Sequence, residues 1–245
     1  MTARALRLAL LAGLAGCDGG ANPNVVDEWF LRPALLREDP QQVAAYMAKL
    51  PDGVYREREL DGVGRFYIDN GKDSIKRHLV ELFPKYVKAG STVVDAGAAI
   101  GVHTVALARL AGPGGRVYAF EPQRKLHRQL VFNLRLNRIE NAVPLRYALG
   151  HTAGVSAPGK AEDRVELRPL DSFGLRNVSL IRIDMEQFED YVLEGAQLTI
   201  GRYRPILIIE ITGNRKRIEA THARLKQLGY RVGHIAFDDY LALPE

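Results

Sequence analysis

Cysteine is almost missing from this chain of 245 residues, where Cys17 stands alone. A single thiol supports neither an internal disulfide framework nor a cysteine-based zinc cluster. The six histidines (78, 103, 127, 151, 222 and 234) include no H-x-x-x-H pair, so no structural metal is expected. A strong excess of one charge is lacking as well, the net charge being +5. The densest basic stretches, 124–138 and 214–226, carry apolar residues at helical spacing, which predicts solvated outer faces. They lack the repeated aromatics or glycines of a nucleic-acid stripe, so no nucleic-acid partner is expected. No apolar run reaches the ~20 residues that a membrane-spanning helix needs. What is there is ordinary and sufficient: a hydrophobic fraction of 47%, enough for a sizeable core.

Residues 1–20, "MTARALRLALLAGLAGCDGG", pair Arg4 and Arg7 with a short apolar core from Leu8 to Ala15 and then Cys17. That pattern is similar to a bacterial lipoprotein signal, and its alternative is a mobile tail. Membrane attachment through Cys17 is expected only if the signal is genuine. Residues 21–72 read as a cap region with prolines at 23, 33 and 40, a helix over 41–50 and a hairpin around Asp61-Gly62.

From residue 73 to 245 the rhythm is regular. A helical stretch ending at Gly90 is followed by short β-rich runs: "STVVDAG", "GRVYAFEP", "NAVPLRYALG", "VSLIRIDME", "RPILIIEI" and "GYRVGHIAF". Helical patterns at 100–111, 124–138, 188–201 and 214–228 lie between most of them. Alternation of this kind implies βαβ units, an α/β fold with a mostly parallel central sheet and helices on both faces. The segment 151–173, rich in glycine and proline, reads as a loop or hairpin excursion at the sheet rim.

Ligands of such sheets bind beyond the carboxyl ends of the strands. "VVDAGAAIGVHT" (93–104) brings Asp95 to a strand end and places Gly97 and Gly101 in the turn that follows. A pyrophosphate would gain from the exposed N–H groups of that turn but would be repelled by Asp95. An amino-acid head, carrying ammonium and carboxylate, can use both, which favours S-adenosylmethionine over a nicotinamide dinucleotide. Glu121 ends the next strand, 26 residues after Asp95. A carboxylate there can accept from both ribose hydroxyls.

The stretches "VVDAGAAIGVHTVALARLAGPGGRVYAFEPQ", "NRIENAVPLRYALG" and "LDSFGLRNVSLIRIDMEQFEDYVLEGAQLTIGRYRPILIIEI" together resemble the FkbM family of S-adenosylmethionine-dependent methyltransferases. The resemblance implies a Rossmann-like class I methyltransferase fold and an O-methylation chemistry on a small-molecule or glycan acceptor. It further implies that Asp95, Gly97 and Ala98 contact the methionine part of the cofactor and that Gly101 lets helix and loop pack closely. Glu121 would hold the ribose, with Asn141 and Ala148 near the adenine edge. The chain departs from the family where Ala99 stands for the usual Asn and Gln187 for the usual Gly. Those departures open a second reading, a member that binds cofactor or partner without turnover.

Asp184, at the carboxyl end of "SLIRID", and Glu186 are the candidate catalytic residues. A carboxylate near the acceptor hydroxyl can orient it or take its proton. Asp184 could equally cap a helix starting near Gln187, and Glu186 could serve as an acid in its first turn. With Glu210, at the end of "PILIIE", the pair could also hold Mg²⁺. His103, just after the glycine loop, is a further candidate base. Because S-adenosylmethionine is made and kept in the cytosol, a cytoplasmic location is expected, against the rival of an exported, lipid-anchored binding protein.

Overall fold

Six apolar runs, each too short for a helix and dominated by Val, Ile and Leu, supply most of the central sheet. The computed structural model describes residues 55–69, 75–156 and 164–245; the tail with Cys17 and the helix expected over 41–50 lie outside them. The elements are β1 (Tyr55–Leu60), β2 (Gly64–Asp69), α1 (Arg77–Leu82), β3 (Thr92–Ala96), α2 (Val102–Ala111), β4 (Arg116–Phe120), α3 (Arg124–Leu136), β5 (Ala142–Leu145), β6 (Ala148–Leu149), β7 (Gly154–Ser156) and β8 (Val165–Arg168). Then follow β9 (Val178–Ile183), α4 (Glu189–Gly195), α5 (Gln197–Tyr203), β10 (Ile206–Glu210), α6 (Arg215–Gln227), β11 (Tyr230–Ala236) and β12 (Asp239–Pro244).

The main sheet has seven strands in the order β11-β12-β10-β9-β3-β4-β5. β10, β9, β3, β4 and β5 run parallel, while β12 is antiparallel to β10 and to β11. Successive side chains point to opposite faces of a strand, so each run feeds two cores. Val93, Val117, Leu180 and Ile208 pack on one face with α2, α3 and the β1–β2 hairpin. Val94, Ile181, Ile183, Leu207 and Ile209 pack on the other with residues of α4, α5 and α6. The hairpin joins the first core through Phe66 and Ile68. It is fixed from outside by Asn133 of α3, which accepts from the Tyr67 N–H at 3.0 Å, and by Asn137, which accepts from the Arg65 N–H at 3.0 Å.

Three expectations change in detail. The stretch "NAVPLRYALG" is not one strand: it leaves the main sheet after Leu145, and β6 pairs with β8 in a separate three-stranded sheet with β7. The helix expected over 188–201 is two, α4 and α5, divided at Ala196. Gly195, the last residue of α4, lies so tightly against the Gly150 carbonyl that a Cβ would collide with it. Residues 239–244, for which no strand is expected, form β12, and in its pairing with β10 Asp239 and Ala242 are buried. Among the described residues no helix is long and apolar enough to cross a membrane.

Candidate active site at the carboxyl edge of the sheet

Strand order reverses at β3, which has β4 on one side and β9 on the other. A crevice opens at the carboxyl end of such a strand. Here the chain turns through Gly97 (φ +84°) and Gly101 (φ +91°) into α2. A Cβ on Gly97 would collide with the Asp184 carbonyl oxygen, and one on Gly101 would come within 2.6 Å of Leu130 Cδ1. Both glycines therefore seat the loop against its neighbours. The N–H groups of Gly97 and Ala98 donate to the Phe120 carbonyl at 2.9 Å each, stitching the loop to β4. Gly101, the cap of α2, has no side chain to satisfy the first helical N–H groups.

Asp95 is fully buried. Its Oδ1 accepts from Arg182 Nη1 at 2.7 Å and its Oδ2 from the Thr104 hydroxyl at 2.6 Å. Each of its oxygens thus has one partner within the protein, which gives Asp95 a positioning task at the end of β3. Glu121 is different. It is 4% exposed, and its carboxylate accepts from the N–H groups of Ala99 (2.9 Å) and Gln123 (2.8 Å). Burial raises its pKa to about 7, against the lowering by those two N–H groups, and the negative charges of Asp95 and Asp184 add to the rise. A buried carboxylate fixed by two donors and facing no cation among the described residues is suited to neutral hydroxyl donors.

Asn141 does not belong to this edge. It precedes β5 and so lies at the opposite, amino end of the parallel strands, where its Nδ2 donates to the Ala108 and Gly112 carbonyls at 2.8 Å each and closes the end of α2. Its expected place by the adenine is corrected accordingly. Ala148, partly exposed in β6 beyond the end of β5, is at the carboxyl edge.

Arg182 and Asp184 form the charged centre. Arg182 Nη2 donates to Asp184 Oδ2 at 2.5 Å, so one guanidinium bridges the ends of β3 and β9. Lys76 reaches in from just before α1, with Nζ 3.3 Å from Asp184, 2.7 Å from Glu210 and 3.0 Å from Asp239. Asp239 is also 2.7 Å from His78 Nε2. Burial would push the Asp184 carboxyl up, but Arg182, a hydrogen bond with Glu210 and Lys76 outweigh it and hold it well below the usual carboxylate range. Glu210 moves the other way, to about 7, through burial and through its hydrogen bond and repulsion with Asp184, against the lowering by Lys76. The three acids that converge are thus Asp184, Glu210 and Asp239, and they meet on the Lys76 ammonium.

Glu186 stands apart, exposed on the turn after β9 with φ +40°. Neither capping expectation holds, because α4 begins only at Glu189, whose own carboxylate accepts from the Gln187 N–H at 2.8 Å. His103 is 8% exposed, meets the Phe83 ring edge-on at 5.8 Å, and burial together with Arg182 lowers its pKa well below the usual imidazole value. Its Nε2 has no hydrogen-bond partner. Sequence reasoning missed Lys76, His78, Arg182 and Asp239. Only Arg182 left a signal, as a charge inside an otherwise apolar strand.

The two departures singled out in the sequence share a backbone feature. Ala99 lies at φ +48° and Gln187 at φ +77°, in the left-handed region where Gly or Asn is preferred. Each holds its loop at a cost of about 1 kcal/mol or more.

The profile of the family described as Methyltransferase FkbM domain matches residues 95–232. No curated protein matches the chain. Among solved structures it is similar to the methyltransferase FkbM from Methylobacillus flagellatus KT, with 20% identity and a TM-score of 0.54 over 66% of this chain and 50% of that one. The chain thus spans half of that relative. It is also similar to a Clostridium thermocellum protein described as a candidate rRNA methylase, with 21% identity and a TM-score of 0.51 over 69% of this chain and 95% of that one. At these identities the likeness concerns the fold, which is that of class I S-adenosylmethionine-dependent methyltransferases.

Two outcomes follow from this geometry. Arg182→Met strips the buried Asp95 of its counter-charge, and urea unfolding should show a loss of roughly 3–5 kcal/mol. Gln187→Gly relieves the positive φ while keeping the N–H that donates to Glu189, and the same measurement should show a gain of about 0.5–1 kcal/mol.

Proposed function

Because the chain belongs to the FkbM methyltransferase family, we propose that it is an S-adenosylmethionine-dependent O-methyltransferase whose acceptor is a hydroxyl of a sugar or another small molecule. The observation that carries the reading is Glu121: a buried carboxylate without a cationic partner, at the end of the strand next to the glycine loop. Two backbone donors fix it and leave lone pairs for the vicinal hydroxyls of a ribose. The amino-terminal turn of α2, with no side-chain cap, suits the carboxylate of the methionine part. Gly97 and Ala98 form the floor between them, Gly101 keeps α2 close to α3, and Ala148 is placed to border the adenine.

When bound, the cofactor supplies a methyl group on a positively charged sulfur, which an aligned oxygen can displace in line. The protein's own work is therefore alignment. Asp184 remains an anion beside Arg182 and Lys76 and is partly open, so it can accept from an incoming hydroxyl. Glu186, exposed on the same turn, would meet the acceptor from the solvent side. Asp95 acts one step back, by holding Arg182 and the start of α2. This reading carries the expectation of a cytoplasmic protein. The second reading, a member that binds without turnover, is favoured by the strained Ala99 and Gln187. Tight binding of S-adenosylhomocysteine with no transfer of tritiated methyl to any cell extract would select it.

Titration calorimetry with S-adenosylhomocysteine should give saturable heat, and Glu121→Ala should weaken binding about tenfold or more. Absence of heat from the unaltered protein overturns the reading. The ligand-free protein offers an independent check on Glu121. Its pKa is raised from 4.5 to about 7 on folding, so the native state retains a proton that the unfolded chain releases. The resulting stability is complete below pH ~4.5 and is lost as pH rises through ~7. Glu121→Gln lacks that loss and should exceed the unaltered protein at pH 8, relative to pH 4.5, by up to roughly 3 kcal/mol in urea unfolding.

A further inference from the structure

The proposed reaction releases a proton from the acceptor hydroxyl, and the carboxylate nearest to expectation, Asp184, is badly placed to take it. Its Oδ2 lies 2.5 Å from Arg182 Nη2 and 3.3 Å from Lys76 Nζ. Two cations on one oxygen make a stable anion and a poor base.

The charge balance of the cluster points elsewhere. Four carboxylates, Asp95, Asp184, Glu210 and Asp239, are joined by direct contacts to two permanent cations, Arg182 and Lys76. Within the described residues the one further partner is His78, and it meets Asp239 at Oδ2, the oxygen that Lys76 does not hold. Asp95 and Asp184 divide the guanidinium between them. Glu210 has only its share of Lys76, which it divides with Asp184 and Asp239, so its carboxyl is gathered with theirs on one ammonium. Carboxylates that outnumber the cations they share cannot all be ionised without strong repulsion. The pair of Asp184 and Glu210 therefore tends to keep one proton, and the member without a guanidinium is the one to carry it. Glu210 ends β10, the strand beside β9, so its carboxyl opens on the same edge as Asp184.

We propose that Glu210 is the catalytic residue that accepts the acceptor's hydroxyl proton, with Asp184 as the fixed anion and Lys76 as the fixed cation that set its proton affinity. The inference rests on the methyltransferase reading above. In the step, the O–H proton passes to a carboxylate oxygen of Glu210 while a lone pair of the hydroxyl oxygen forms the new bond to the methyl carbon. The carbon–sulfur bond breaks with its electron pair retained on sulfur. The sulfonium charge and the Glu210 charge disappear together, and Glu210 later returns its proton to solvent. The neutralised Glu210 can then donate to Asp184, so the proton has a ready place inside the cluster. A pKa of about 7 is in keeping with this use, since a base works best when its pKa lies near the working pH.

The test combines a readout on the ligand-free protein with one on transfer. With glutamate labelled at the side-chain carboxyl carbon, the Glu210 resonance, assigned by its loss in Glu210→Gln, should titrate near neutral pH. Asp184→Asn should move that titration down, by removing the neighbouring anion, and Lys76→Met should move it up. Transfer of tritiated methyl from S-adenosylmethionine to the small-molecule fraction of a cell extract should rise with pH through the same range. In Glu210→Gln it should fall about 100-fold or more and lose that pH limb, while S-adenosylhomocysteine binds as before. Titration of Glu210 in the ordinary carboxylate range overturns the assignment, and so does a loss of transfer smaller than 100-fold. No binding of S-adenosylhomocysteine and no transfer by the unaltered protein would instead bring down the methyltransferase reading and the inference with it.

Discussion

The ion pair between Arg182 and Asp95 is the constraint on which the site depends. Both side chains are sealed from water, and a buried charge without its partner costs several kcal/mol. The guanidinium satisfies Asp95 at the end of β3 and Asp184 beyond the end of β9, so it fastens the two strands on one side of the point where strand order reverses. Thr104 carries the same restraint into α2. Loop, helix and neighbouring strand are thus held in one arrangement by Asp95, Thr104 and Arg182.

Around that fixed pair the carboxyl edge separates into two electrostatic environments. Toward β4, Glu121 has backbone donors and no cation, a setting for neutral hydroxyls. Toward β10, Asp184, Glu210 and Asp239 share Lys76, a setting of paired charges. Within the second environment neighbouring carboxylates move in opposite directions, Asp184 down beside Arg182 and Glu210 up. The glycine loop lies between the two environments, which is where a ligand reaching from one to the other would pass.

Much of the fold was legible because its determinants are local. Apolar runs of strand length alternating with amphipathic stretches announce a parallel sheet, and the helical pattern over 214–228 becomes α6 with Asn214 as its cap, accepting from the Arg217 N–H at 3.0 Å. Asp95, Glu121 and Asp184 could be read as strand-end acids, since each closes an apolar run. What escaped depended on pairings across long separations. Lys76 meets Asp239 over 163 positions, and no pattern around either residue hints at the other. Asn141 was misplaced for a related reason: the run containing it was taken as a strand without fixing which residue opens it, and that decides which end of the sheet it reaches. The close approach of Gly195 to the Gly150 backbone, next to the break between α4 and α5, is likewise a contact that helical periodicity does not encode.

The β11–β12 hairpin gives the order of assembly a meaning. Asp239 and the partner it buttresses through β10 come late in the sequence, whereas Lys76 and His78 come early. On a ribosome, a chain that has emerged only as far as β10 would already own the glycine loop and the Arg182 clasp, yet Lys76 would lack its most buried carboxylate. The acid cluster around Lys76 therefore cannot close until β12 has paired with β10.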